Sequence, residues 1–239
     1  MEKRGQVTIF VILAIFIIGI VLIYFAFQQG LIQQPLNPDA QMVYNFVQEC
    51  IEETAIEGIS FLSGRGGYFI LPDSSSEISF LTSYWIYQCQ DISPTDEILG
   101  GELSNYIENQ IDYCLEKNID EKIVFGEKRA ETKIEANVVT IDLNLPTAIS
   151  IENSTAYIED YDVEISDDLF FRYYTISKDI VEEIKRDYST FDLSSFFEIA
   201  DSDNFDIVID TYNDENYLFS LKDRTDELNE FTFAVNLRS

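Results

Sequence analysis

The residues from Val7 to Phe27 form an apolar run without any charge, and this run constrains the chain more than any other feature. An α-helix rises about 1.5 Å per residue, so the run is about as long as the ~30 Å hydrocarbon layer of a bilayer. Apolar side chains surround the predicted helix, whereas a helix packed on a protein core shows one apolar stripe. The run is also longer than the ~7–15-residue apolar region of a cleaved signal peptide. We therefore predict a transmembrane helix over residues 7–27.

The basic residues near this helix predict its orientation. Lys3 and Arg4 precede the helix, and the next basic residue is Arg65. Basic residues close to a spanning helix are retained on the cytoplasmic side. We expect residues 1–6 in the cytoplasm, a stalk over 28–37, and an extracytoplasmic domain over 38–239 with a sub-boundary near 118–122. The predicted location is the cell membrane, crossed once.

The composition predicts a folded and strongly acidic exported domain. The chain is 46% hydrophobic and 14% aromatic, which is too apolar for a disordered protein, yet its net charge is −29. This charge repels nucleic acid and anionic lipid surfaces, and it attracts cations or a basic partner. We expect the lipid membrane as a partner through residues 7–27, a protein partner at the cell surface, and no nucleic acid.

The N-terminal sequence Lys3-Arg4-Gly5-Gln6-Val7-Thr8 resembles the class III signal of archaeal pilins and archaellins. In that family a prepilin peptidase cuts between Gly and Gln, which implies a processing site between Gly5 and Gln6 here. Phe10 stands at the fifth position after this bond, where the family usually has Glu. The resemblance implies a pilin-like subunit or accessory as an alternative function.

A second resemblance covers the whole chain. The N-terminal signal and helix, Cys50-Ile51-Glu52-Glu53-Thr54, Gly66-Gly67-Tyr68 with Pro72, and a helix ending near Cys114 are similar to a group of uncharacterised, membrane-anchored archaeal proteins. This likeness implies one exported domain and assigns no catalytic residue.

Helical periodicity predicts three or four helices in the exported domain. Asn37 and Pro38 are typical of a helix start, and Gly64-Arg65-Gly66-Gly67 is typical of a helix end and turn. Ser166 or Asp167 is the expected cap of the third helix. The predicted helices lie at 38–63, 96–117, 169–188 and 193–200.

Alternating or β-rich segments predict strands in the rest of the domain. Val139, Ile141, Leu143 and Leu145 alternate most clearly. The predicted strands lie at 68–71, 80–87, 123–125, 132–144, 148–151, 156–165, 206–211, 217–222 and 230–237. Helices separated from hairpin-linked strands predict an α+β fold with an antiparallel sheet.

Three cysteines permit one disulfide in an exported domain. Cys50 and Cys114 each lie on the apolar side of a predicted helix, which favours their pairing. Cys89 would then be free or intermolecular. The other two pairings stay open from the sequence alone.

The sequence offers little chemistry for catalysis. It has no His, which excludes Ser–His–Asp and Cys–His machinery within the chain. Tyr174 and Lys178 match the YxxxK spacing of short-chain dehydrogenases, but no dinucleotide loop accompanies them, so we interpret Tyr174 as a core-edge aromatic. The acidic pairs Glu52-Glu53, Asp167-Asp168 and Glu182-Glu183 are most simply solvated or capping positions. We expect no catalytic, cofactor-binding or metal-binding residue.

Two short patterns suggest modification or cation binding. Asn153-Ser154-Thr155 is a glycosylation sequon between two predicted strands, which makes Asn153 a candidate glycosylation site. The segment from Asp201 to Asp206 partly resembles the start of a calcium loop, but Asp206 stands where the EF-hand requires Gly. We interpret this segment as a polar turn between helix and strand.

The sequence therefore predicts a non-enzymatic, membrane-anchored surface protein with an acidic binding or envelope-structural domain. The alternatives are the pilin-like subunit and a hydrolase that uses paired carboxylates. The hydrolase predicts two carboxylates that converge in a cleft.

Overall fold

The computed structural model describes residues 16–17, 37–72, 82–118, 122–151, 154–167, 169–188, 192–213, 215–225 and 230–237. The chain divides into two compact units, Met1–Gln41 and Met42–Ser239. In the first unit, Phe16 and Ile17 are helical and Asn37 precedes the first long helix, α1 (Pro38–Ser63). The predicted cap is confirmed, because the Asn37 side chain accepts a hydrogen bond from the Asp39 N–H at 3.1 Å.

The predicted transmembrane segment lies outside the described residues, apart from Phe16 and Ile17. Within the part of the chain that the structure describes, no helix is both long and apolar enough to span a bilayer.

The described residues of the second unit have an α+β fold with two sheets, which confirms the α+β part of the predicted fold class. The helices that follow α1 are α2 (Asp96–Gln110), the short α3 (Asp112–Leu115), α4 (Leu169–Arg186) and α5 (Leu193–Ser202). The strands are β1 (Tyr84–Tyr87), β2 (Gln90–Asp91), β3 (Ile123–Phe125), β4 (Arg129–Glu135), β5 (Val138–Ile151), β6 (Ser154–Ile165), β7 (Phe205–Asn213), β8 (Asn216–Asp223) and β9 (Glu230–Asn236).

The first sheet has five strands in the order β2-β1-β9-β8-β7. Its strands pair antiparallel except for β1 and β9, which are parallel, so the prediction of purely antiparallel pairing is wrong here. Trp85 on β1 is fully buried, stacks on Phe233 and donates a hydrogen bond from Nε1 to the Gly66 carbonyl at 2.9 Å. Tyr173 and Phe170 of α4 pack against Phe231, so α4 covers the aromatic centre of this sheet.

The second sheet is built around the long strand β5 and is antiparallel throughout. β6 pairs along one side of β5. On the other side, β4 pairs with the first half of β5 and β3 pairs with its second half. The alternating residues Val139, Ile141, Leu143 and Leu145 are all buried, as their pattern predicts. Their neighbours on β5 face outward and form part of a polar surface.

Helices form side-chain hydrogen bonds with both outer strands β6 and β4 of the second sheet. On the β6 side, Gln48 of α1 donates from Nε2 to the Asp162 carbonyl at 2.7 Å, and Tyr44 stacks on Tyr161. On the β4 side, the Glu108 carboxylate of α2 accepts the Ala130 N–H at 2.7 Å. Side chains of the two helices therefore pair with backbone groups that a strand edge would otherwise expose.

The disulfide predicted between Cys50 and Cys114 is confirmed, and it joins α1 to α3. Its partners are 64 residues apart. In the chain-entropy description, closing a loop of this length in the unfolded state stabilises the fold by roughly 4 kcal/mol.

The strand predicted at residues 68–71 is wrong. These residues form an irregular segment because the Glu102 carboxylate accepts the N–H groups of both Phe69 and Ile70, at 2.8 and 3.2 Å. The Phe69 ring packs edge-on against Tyr106, which lies in α2 together with Glu102. The Glu102 side chain thus binds the two backbone N–H groups that a strand would donate to a neighbouring strand.

Two other boundaries differ from the prediction. The single strand expected over 132–144 is wrong, because a turn at Ala136 and Asn137 divides it into β4 and β5. The helix expected over 96–117 is interrupted at Ile111, where α2 ends and α3 begins. The helices over 169–188 and 193–200 are confirmed, and Asp167 is the cap that accepts the Leu169 and Phe170 N–H groups.

Gly100 and Gly101 of α2 provide a matched test of the packing between α2 and β4. A Cβ atom at Gly100 would lie 2.4 Å from the Thr132 carbonyl oxygen, whereas a Cβ at Gly101 would meet nothing within 4 Å. Gly101→Ala should therefore raise the free energy of unfolding by about 0.5–1 kcal/mol through helix propensity. Gly100→Ala should lower it despite the same gain in propensity. Urea unfolding of both variants checks this, and equal stabilisation by the two would contradict the close approach.

Candidate functional site

The outward surface of the second sheet carries the densest group of facing carboxylates among the described residues. We call this surface the aspartate face and define it by Arg129, Glu131, Asp142, Asn144, Asp160 and Asp162. Asp142 on β5 lies directly opposite Asp162 on β6 and, on its other side, opposite Glu131 on β4. Asn144 lies in the same way between Arg129 and Asp160. The six residues line an open depression of about 400 Å³.

The charges of this face are only partly compensated. Glu131 has Lys133 at 3.4 Å, and Asn144 donates from Nδ2 to Asp160 at 2.8 Å. Among the described residues, no Lys or Arg forms an ion pair with Asp142 or Asp162. Like charges directly opposite on neighbouring strands destabilise a sheet, so this pair has a cost in stability.

The electrostatics of Asp162 reflect this arrangement. Partial burial, the hydrogen bond that it shares with Asp142, and the negative charges of Asp142 and Asp160 together raise the pKa of Asp162. The Asp162 carboxyl therefore takes up a proton at a higher pH than an isolated aspartate does.

Chemically, the aspartate face can accept hydrogen bonds and attract positive charge. Within the described part of the chain, no group of three or more His, Cys, Asp or Glu side chains has a geometry that could hold a metal ion. The openness of the depression suits contact with a large cationic surface better than enclosure of a small molecule.

The YxxxK pair has a structural role. The Tyr174 hydroxyl donates to the Pro94 carbonyl at 3.1 Å, and its ring packs edge-on against Trp85. Lys178 Nζ donates to Ser93 Oγ at 2.7 Å. Burial and the nearby carboxylates of Asp96 and Asp91 raise the pKa of the Tyr174 phenol, which keeps it neutral. Both residues hold the segment after β2 against α4, as expected for a core-edge aromatic.

The segment from Asp201 to Asp206 forms the predicted polar turn. It contains the end of α5, a turn at Asp203 and Asn204, and the start of β7. Arg224 donates to Asp201 at 2.7 Å and to Asp206 at 2.8 Å. The guanidinium therefore occupies the carboxylate oxygens that a cation would need.

The other acidic pairs occupy helix surfaces or caps. Glu53 lies 3.7 Å from Lys117, Glu182 pairs with Lys185, and Glu183 pairs with Arg186. None of the described members of the three predicted pairs contributes to the aspartate face. The glycine-rich segment after α1 is the predicted helix stop, because the Gly67 N–H returns to the Leu62 carbonyl at 2.8 Å and Gly66 and Gly67 have positive φ.

Cys89 is the free cysteine, half-buried at the turn between β1 and β2. The candidate processing site at Gly5 and Gln6 and the candidate glycosylation site at Asn153 lie outside the described residues.

The aspartate face was missed by sequence reasoning. A signal existed in the alternation of β5 and β6, which directs Asp142 and Asp162 outward. The pairing itself depends on a β-bulge between Asn144 and Thr147, which shifts the register by one residue. Without that bulge, the register set by the hairpin turn would place Asp142 opposite Val163, whose side chain points inward.

Comparison with known protein families, curated proteins and solved structures finds no match to the chain.

The substitution Asp162→Asn tests the repulsion at the aspartate face. At pH 7 it should raise the free energy of unfolding by about 0.2–1 kcal/mol, because it removes one of two facing like charges. A raised pKa in the folded state means that stability is lost as the pH rises through that pKa. The gain from Asp162→Asn should therefore shrink as the pH falls towards 4, because the raised pKa lets Asp162 take up its proton at a higher pH than usual.

The matched control is Glu164→Gln. Glu164 lies on the same strand and face but opposite Thr140, so its loss changes net charge equally without relieving a facing carboxylate. Urea unfolding at both pH values measures the effect. An equal gain from the two substitutions would show that net charge, and not the pair, determines the result.

Proposed function

We propose that this chain is a single-pass, membrane-anchored cell-surface protein whose acidic extracytoplasmic domain binds a positively charged protein partner. The apolar run over residues 7–27, with Lys3 and Arg4 before it, supports the anchor and its orientation. In this proposal the domain acts as a binding or envelope-structural module and not as an enzyme.

The Cys50–Cys114 disulfide supports an extracytoplasmic location. Disulfides form and persist in oxidising compartments and are rare in the reducing cytosol of most cells. Both cysteines lie in helices of the folded unit, with Cys50 fully buried, which is typical of a structural bond.

The aspartate face supports the proposed binding of a positively charged partner. Evolution seldom retains facing carboxylates without a compensating charge unless they serve a purpose, because their repulsion lowers stability. A partner that brings Lys or Arg to Asp142 and Asp162 would relieve this repulsion on binding. The strongly negative net charge of the whole chain would also accelerate the encounter with such a partner.

One observation favours a carboxylate-based hydrolase as a second candidate. Asp142 and Asp162 converge at one depression, and the pKa of Asp162 is raised, as a general acid would require. Against it, both side chains lie on an open surface, whereas acid–base sites are usually enclosed clefts that exclude water. We therefore rank the binding module first.

Protease treatment of intact cells that express the full chain tests the anchor and its sidedness. The extracytoplasmic domain should be digested from outside, and the protein should sediment with membranes. A soluble product that resists external protease would contradict the proposal.

The N-terminus of the same membrane-derived product separates the anchor from the pilin-like alternative. A start at Gln6 supports processing after Gly5, whereas an intact Met1 or Glu2 supports an unprocessed anchor.

A further inference from the structure

The two sheets differ in how their edges are closed. At the β6 and β4 edges of the second sheet, Gln48 of α1 and Glu108 of α2 each form a hydrogen bond with a backbone group. In the five-stranded sheet, the β2 edge is two residues long, and Lys185 of α4 holds its Asp91 carboxylate at 2.9 Å. The opposite edge is β7, which has nine residues.

Strand β7 meets α5 at its start. Phe197, Glu198 and Asp201 of α5 line a surface depression together with the first three residues of β7, from Phe205 to Ile207. From Val208 to Thr211 the side chains are exposed or half-buried. Among the described residues, only β8 forms backbone hydrogen bonds with the segment from Val208 to Thr211. This segment presents an unpaired strand edge of the kind that accepts an added strand.

The side chains along this edge indicate the chemistry of the added strand. Val208 is 44% exposed and Asp210 is exposed on the same outward face, while Ile209 lies half-buried on the other. Arg224 holds Asp206 at 2.8 Å, and no described Lys or Arg forms an ion pair with Asp210. Cross-strand neighbours favour opposite charges and pairs of apolar side chains. The best complement therefore places a basic residue beside Asp210 on the outward face and, one position away, an apolar residue beside Ile209 on the other face.

We propose that the β7 edge from Val208 to Thr211 binds an extended polypeptide segment in which basic and apolar residues alternate. The segment extends the five-stranded sheet by one strand, with main-chain hydrogen bonds providing affinity and the Asp210 contact providing selectivity. A second copy of this chain is a poor occupant, because two chains that each carry a net charge of −29 repel each other.

This inference names a partner class for the proposed binding module, but at a surface distinct from the aspartate face. The two surfaces are on different sheets, so each can be altered without the other.

The test is a titration of the full chain, solubilised in detergent, with a fluorescent seven-residue peptide in which Lys and Val alternate. Anisotropy measures binding, and amide hydrogen exchange locates it. The peptide should bind and slow exchange within the segment from Val208 to Thr211. A peptide with Glu in place of Lys, and a Lys peptide with Pro at its centre, should both fail to bind.

Asp210→Lys should weaken binding of the Lys peptide by roughly 2- to 30-fold, because a favourable cross-strand pair becomes a repulsive one. The matched control is Glu164→Lys, which changes net charge equally on the second sheet and should change the affinity less than the edge variant does.

Three results would overturn the inference: no binding of the Lys peptide, equal weakening by both variants, or protection from exchange outside β7. The first result would mean that Asp206 and Asp210 serve only to keep other strands away from this edge. Protection on β4, β5 or β6 would instead move the binding to the aspartate face and leave the proposed function intact. Failure of the proposed function would appear separately, in the location of the full chain on cells.

Discussion

The peptide groups along the sheet edges are the constraint on which the rest of the structure depends. Each edge that is shielded from water must find hydrogen-bond partners outside the sheet. Gln48 of α1 and Glu108 of α2 supply such partners, and the glycine at position 100 lets α2 lie close enough to do so. The Cys50–Cys114 disulfide then fixes α1 to α3, the continuation of α2. Both helices thus contact the second sheet, and the disulfide joins α1 to the end of the α2–α3 segment.

The same arrangement decides where the acidic charge of the chain is neutralised. Near α4, Lys185 pairs with Asp91 while Lys178 donates to the Ser93 hydroxyl, and Arg224 pairs with Asp201 of α5 and Asp206 of β7. Although partial burial opposes it, hydrogen bonds from Ser93 and Lys185 lower the pKa of Asp91. The pKa of Asp162 moves in the opposite direction, because partial burial and the neighbouring carboxyl groups of Asp142 and Asp160 raise it. Basic residues are few in this chain, and the structure places them where segments must be held together, which leaves Asp142, Asp162 and Asp210 to face solvent.

Much of the fold could be predicted from local sequence signals. The cap at Asn37, the stripes of α4 and α5, the alternation of β5 and the pairing of Cys50 with Cys114 each depend on nearby residues or simple burial. The errors arose where distant groups decide the structure. Glu102 prevents a strand at Phe69 and Ile70, and the parallel pairing of β1 with β9 joins segments far apart in the chain. The aspartate face depends on a β-bulge that shifts the β5–β6 register, and no local sequence pattern predicts this bulge. The candidate site was therefore less predictable than the fold.

Native-state amide hydrogen exchange of the folded α+β unit tests the account of the edges most directly. Because Glu108 holds the Ala130 amide, that amide should exchange slowly, close to the rate of global unfolding. On β7, the amides between Val208 and Thr211 that point away from β8 should exchange much faster, although the strand itself is formed. If these outward amides exchanged as slowly as Ala130, the β7 edge would already be covered, and the contrast between a closed sheet and an open one would be wrong.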